Sequence, residues 1–293
     1  MLDPILFGDN QFFGVNHMSE DKARQQAMKF QDIEAIAATL ASAVSSGVPG
    51  FMCTTHDRIA EIAQMVRDGR SDLANLIFYP CMPYAHKYAN AVTELGYVGT
   101  LKKFLPAEGA FSSVLQGSRA LLTRDVESVI KLLIDAEMKM FVGLRTPVIF
   151  LQNVVTDLAL GLNAWESFAF FADHVRAKYG AEPGFITMNM PLLLPALDKA
   201  GIKQPIVCTN LNKIEFRMSG GIEAYRQAAS LYSPRVIAMS VFASGAIRPE
   251  AAIEWVVSEP YVESIVFGAS SAGNISSTVS MVEKASARRA LTQ

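Results

Sequence analysis

A histidine beside an aspartate, His56-Asp57, closes one apolar run and opens a helical one. Imidazole titrates near neutral pH, and a neighbouring carboxylate orients it or raises its pKa. The pair is therefore the first acid–base candidate. The plainer reading is that Thr55 or Asp57 caps the helix and His56 is a polar first-turn residue. Arg145, read at the end of a strand, could clamp a carboxylate or phosphate, or simply make a surface ion pair. Tyr84, His86 and His17 are further proton-transfer candidates in loops, whereas His174 falls within a helix and reads as structural. Asp9, Asn10, Asn189, Asn210, Asn212, Lys213, Ser244 and Ser270 supply groups that orient a ligand by hydrogen bonds.

The three cysteines, Cys53, Cys81 and Cys208, are widely spaced and form no CxxC, so neither a disulfide framework nor a closed metal site is expected. Each falls near a strand end, where burial as a small hydrophobe is more expected than a Cys53 nucleophile beside His56. No HxH pattern follows the first strand and no carboxylates cluster at strand ends, so no metal is indicated. Neither Lys139 nor Lys213 sits within a strand, which weighs against a Schiff-base lysine.

These residues need elements to hold them. Residues 234–274 read as strand, turn, helix, strand, turn, with small Ser/Gly-rich breaks at Ala243-Ser244-Gly245 and Gly268-Ala269-Ser270-Ser271. Right-handed parallel crossovers bring two such turns to the same sheet end. Backbone N–H groups at a helix N-terminus there suit a phosphate. Upstream, strands are expected at 5–8, 50–54, 76–80, 139–144, 184–188 and 205–209. Thr146-Pro147 is read as the start of a helix over 147–162. A long segment to about Gln31 follows the first strand, where two to six residues are usual, and suits a lid or substrate loop. The strands are near-continuously apolar, as in sheets covered by helices. The expected class is α/β, a single (β/α)8 barrel over 1–293 with an extended loop after strand 1 and extra helices around strands 3 and 4. A doubly wound sheet would more usually show GxGxxG after strand 1, and here that turn is Gly8-Asp9-Asn10-Gln11.

Composition narrows the class. Of 293 residues, 51% are apolar and 18% charged, so a large core is expected and long disorder is not. A net charge of −2 with scattered Lys and Arg points away from a nucleic-acid surface. The opening MLDPILFGDN lacks a signal-type apolar region, and no run of about eighteen apolar residues is uninterrupted. A cytoplasmic protein with a small-molecule substrate is expected, with a homo-oligomer compatible with it and no membrane or nucleic-acid partner.

SVFASGAI (240–247) resembles the turn after strand 7 of the aldo-keto reductases. AIEWVVSEPYVESIVFGASSAGNI (252–275) resembles their last unit, where a Gly-Ala-Ser-Ser turn holds the cofactor's phosphate. GFITMN (184–189) is similar to their strand 5 ending, whose asparagine contacts the nicotinamide amide. The resemblance implies NADP held by Asn189, Asn210, Ser244, Gly245, Ala269, Ser270, Ser271 and Asn274, with substrate near Asp9, Asn10 and His17. The catalytic Asp, Tyr, Lys and His of the family are not matched. In GFMCTTHDRI (50–59), Cys53 falls where the Asp should be and Arg58 near the Tyr. His56, Asp57, Tyr84 and Arg145 are the available catalytic groups. Three functions are open: a divergent NADP-dependent oxidoreductase, a lyase or isomerase on a phosphorylated metabolite using His56 and Asp57, and a non-catalytic binding or regulatory subunit.

Overall fold

A computed structural model of the chain describes residues 2–14, 20–84 and 126–292. Eight parallel strands close into a barrel in sequence order. They are β1 (Ile5–Gly8), β2 (Gly50–Thr54), β3 (Ile77–Met82), β4 (Val148–Leu151), β5 (Glu182–Thr187), β6 (Ile206–Asn210), β7 (Arg235–Met239) and β8 (Val262–Phe267). The described α-helices are α1 (Glu20–Lys29), α2 (Ile33–Ser45), α3 (Asp57–Arg67), α4 (Val126–Met138), α5 (Asn153–Gly161), α6 (Glu166–Tyr179), α7 (Met190–Lys199), α8 (Gly221–Tyr232), α9 (Pro249–Ser258) and α10 (Ala272–Thr292). The (β/α)8 expectation holds. So does the elaboration after strand 4, where α5 and α6 occupy one connection. The long β1 connection carries a 3-10 turn, Asn10–Phe13, and then α1. The extra helix expected after strand 3, together with His17 and His86, lies outside the described residues.

Strand 4 is the main correction. It is Val148–Leu151, not 139–144, and only Asn153–Gly161 of the expected 147–162 helix is helical. Lys139–Phe141 is a 3-10 turn and Gly143 has φ +79°, which breaks any strand there. Pro147 stands immediately before the strand, and its carbonyl accepts from Glu182 N. Arg145 therefore precedes β4, at the opposite end of the barrel from the strand exits, and is exposed to solvent. Its carbonyl accepts from Phe78 N near the start of β3.

Two apolar layers hold the barrel. Leu6, Met52, Tyr79, Phe150, Ile186, Cys208 and Ile237 form part of the interior cluster. Phe7, Phe51, Phe78, Phe185 and Val236 face the helices. Phe150 lies over Gly184, its register partner on β5, because glycine leaves room for the ring. The lower end is closed by polar ties: Tyr79 Oη donates to Asp3 Oδ2 at 2.6 Å, and Arg235 grips Glu263 through two bonds at 2.8 and 2.9 Å.

Candidate active site at the barrel mouth

Strand exits converge at the C-terminal end, where barrels of this kind carry their chemistry. Asp9 follows β1 directly and is 7% exposed. Thr54, at the end of β2, donates to its Oδ2 from both N and Oγ1 at 2.7 Å. Burial pushes the Asp9 carboxyl above the usual range, and the two Thr54 bonds oppose this. Burial, with the Asp9 charge second, pushes the Cys53 thiol well above the usual thiol range. Cys53 is thus a buried packing residue rather than a poised nucleophile.

His56 is itself the N-cap of α3, correcting the expectation of Thr55 or Asp57. Its Nδ1 accepts from Arg58 N at 3.2 Å, so in the neutral ring the proton sits on Nε2. The imidazole stacks on Phe13, with centroids 4.3 Å apart, and the Tyr84 ring stands 6.1 Å away on its other flank. Asp57 is exposed in the first turn of α3, where its charge meets the positive end of the helix dipole. Tyr84 follows β3. Its phenol is raised above its ordinary value by burial and then by the Asp9 charge. Asp9, His56 and Tyr84 thus share the side of the mouth built by β1, β2 and β3.

Carboxylate–threonine ties recur around the rim. Asp9 holds Thr54, Glu137 accepts from Thr55 Oγ1 at 2.6 Å, and Asp157 accepts from Thr187 Oγ1 at 2.6 Å and Met188 N at 3.1 Å. Burial raises Asp157 as it does Asp9. An acid with a raised folded pKa binds more protons folded than unfolded, so stability falls as pH rises from 3.8 through the folded value. In Asp9→Asn, part of that fall should vanish, giving a flatter melting-temperature profile as pH rises above 3.8. An unchanged profile would remove Asp9 from the account.

The other expected amides do more holding than reaching. Asn189 caps α7, its Oδ1 accepting from Leu192 N at 3.2 Å. Asn210 is 1% exposed and donates to Arg217 O at 2.8 Å. Asn212 brackets Phe216 through bonds at 2.8 and 3.0 Å. His174 is structural: with Lys178 and Tyr179 it ties α6 to Asp135 of α4. Burial pushes Asp135 up, but those hydrogen bonds outweigh it and hold the carboxyl low.

On the other side of the mouth, β7 and β8 are paired neighbours, and their exits carry Ser244/Gly245 and Ala269/Ser270/Ser271. Ala243, Ser244 and Gly245 have φ +46°, +58° and +95°, a run that L residues rarely adopt. Ser271 caps α10, its Oγ accepting from Asn274 N at 3.3 Å. Two residues from the β1 loop reach this turn, and neither was marked in the sequence. Lys29 Nζ donates to Ser270 O. Gln11 is buried against Gly268, where a Cβ would fall 2.2 Å from its Oε1, so any larger residue there would displace the Gln11 amide. Among the described residues, no group of three or more His, Cys, Asp or Glu could hold a metal ion, and no helix is long and apolar enough to cross a membrane.

The chain has the barrel fold of the aldo-keto reductases. Solved structures similar to it include a protein from Pseudomonas aeruginosa assigned to that family, at TM-score 0.63 and 15% identity over 97% of this chain and 91% of that one. A thermostable aldo-keto reductase solved with the inhibitor epalrestat matches at TM-score 0.58 and 11% identity over 96% and 90%. An aldo-keto reductase from Brucella melitensis matches at TM-score 0.51 and 10% identity over 97% and 94%. No family model and no curated protein matches the chain. At these identities the likeness is one of fold.

Proposed function

We propose that this protein is a divergent oxidoreductase of aldo-keto reductase type that reduces a small carbonyl compound with NADP. The observation that carries this reading is the two-sided mouth. On one side are the exit turns of the paired strands β7 and β8, the second of which opens a 21-residue helix. On the other stand Asp9, His56 and Tyr84. The residues fit a dinucleotide. The first turn of α10 offers backbone N–H groups and has no acidic residue to repel a phosphate. Lys29, held at Ser270, adds a cation that suits the extra phosphate of NADP. Ser244, Gly245, Ala269, Ser270, Ser271 and Asn274 would hold the phosphates, and Asn189 and Asn210 would border the nicotinamide. Bound there, the nicotinamide supplies the hydride for the carbonyl carbon.

The chain's own part is the proton. Cys81-Met82-Pro83-Tyr84 at the β3 exit has no lysine, and Gln152 follows β4 where the family has a histidine. Tyr84 therefore donates its phenolic proton to the carbonyl oxygen. Burial and the Asp9 charge keep that phenol protonated at neutral pH, which suits a donor in the reducing direction. Water at the mouth then restores the proton to Tyr84, while His56, its Nδ1 accepting from Arg58 N and its ring held by Phe13, stands beside the Tyr84 ring.

Titration with NADPH, following the fluorescence of the two tryptophans, tests the reading. Saturable quenching in the micromolar range is expected. Thermal stabilisation by sugar phosphates without NADPH binding would transfer the site to a non-redox enzyme. No response to either ligand would favour a non-catalytic protein.

A further inference from the structure

We infer that Glu137 is a positioning residue that sets Tyr84 against His56, an inference that rests on the proposed reductase reading. Glu137 lies in the last turn of α4, far from the strand exits in sequence, yet it is 2% exposed. A carboxylate is buried at that depth only when its oxygens are satisfied. Here Oε2 accepts from Thr55 Oγ1 at 2.6 Å, and Oε1 and Oε2 accept from Tyr84 N at 3.0 and 3.2 Å. Thr55 is the residue before His56. One carboxylate therefore joins the backbone of the proposed donor to the residue that precedes His56.

The sheet does not make this connection. The β2–β3 register ends at Thr54 and Cys81, before either functional residue. Beyond it Pro83 has no N–H to extend the ladder. Thr55 is fully buried, so its hydroxyl is fixed in place too. The Glu137 bridge thus adds a side-chain tie between the two strand exits whose His56 and Tyr84 rings stand 6.1 Å apart. Proton transfer is sensitive to position: misplacement by about 1 Å costs on the order of 10²-fold in rate. A carboxylate suits the bridge better than an amide, because glutamine offers one acceptor oxygen and turns an NH2 toward a donor.

The test uses Glu137→Gln and Thr55→Val, with Glu137→Asp and Thr55→Ser as conservative partners. Readouts are NADPH reduction of 4-nitrobenzaldehyde, NADPH affinity and deuterium uptake of the peptide ending at Tyr84. For Glu137→Gln we expect kcat to fall about 10- to 100-fold, with KM and NADPH Kd within about threefold and uptake at Tyr84 increased. Thr55→Val should repeat the pattern, the double variant should be no worse than the more affected single one, and Thr55→Ser should retain kcat. Wild-type kcat and uptake in Glu137→Gln would overturn the inference, as would a loss that appears only in KM. If Glu137→Gln does not fold, Thr55→Val carries the same criteria. Should the unmodified protein bind NADPH but reduce no carbonyl, the reductase reading fails, and uptake at Tyr84 alone then decides whether Glu137 holds it.

Discussion

Tyr84→Phe is expected to lower kcat for carbonyl reduction by about 10²- to 10⁴-fold, the range ascribed to a positioned general acid. The substitution keeps the ring and its contact with His56 and removes only the hydroxyl. NADPH affinity should therefore be unchanged, because the turns proposed to anchor the cofactor follow β7 and β8, across the mouth. The melting temperature should also stay within a few degrees, since Glu137 grips the backbone N–H of Tyr84 and not its phenol. In the unmodified protein the phenol titrates above its ordinary value of 10.0. The reduction rate should thus hold through the neutral range without a loss assignable to tyrosine ionisation. Tyr84→Phe retaining kcat within threefold would end its role as donor and shift attention to His56. His56→Asn would then be the better follow-up than alanine, because asparagine can still cap α3.

Most of the barrel was legible because its strands are apolar runs with sharp ends. Ile5–Gly8 and Gly50–Thr54 were marked to the residue, since helices cover them outside and the interior packs them inside. Strand 4 was misplaced for a local reason: Thr-Pro opens helices, but here Pro147 directly precedes a strand, and Lys139–Phe141 only looks like one by composition. Pro80 was taken as the end of strand 3, yet β3 continues to Met82, with Cys81 paired to Phe150. Asp9, His56 and Tyr84 were placed correctly at strand exits, a placement that needs only approximate boundaries. Arg145 was lost with strand 4, since such a placement misleads when a strand is shifted by one connection. Glu137 carried no signal, because its role arises from packing between α4 and two strand exits. The asparagines were ambiguous for a different reason. An amide that could orient a ligand can equally cap a helix, as Asn189 does, or brace a loop, as Asn210 and Asn212 do.

Gly184→Ala should destabilise the protein by about 3 kcal/mol, the upper part of the range for overpacking a core. A Cβ there would fall 2.4 Å from both Cδ1 and Cε1 of Phe150 and 3.0 Å from its Cζ, closer than carbon atoms approach. Phe150 cannot easily retreat. It is fully buried in the barrel interior, within a cluster that includes Cys81, Val148, Ile186 and Cys208. The strands on either side are fixed by closed pairing around the barrel. Phe150→Leu alone should also destabilise, because it removes ring atoms from that cluster and leaves a cavity. Combined with Gly184→Ala, however, it vacates the volume that the new methyl needs. The double variant should be more stable than the sum of the two losses predicts, with a coupling of about 1–3 kcal/mol. Urea melts of the four proteins measure this directly, and additive losses would mean that the Phe150 ring does not occupy the space over Gly184. The effect reaches the mouth, because β4 runs on into Gln152 and β5 into Asn189. A strained interior layer should therefore lower NADPH affinity in Gly184→Ala, and the double variant should recover it together with stability.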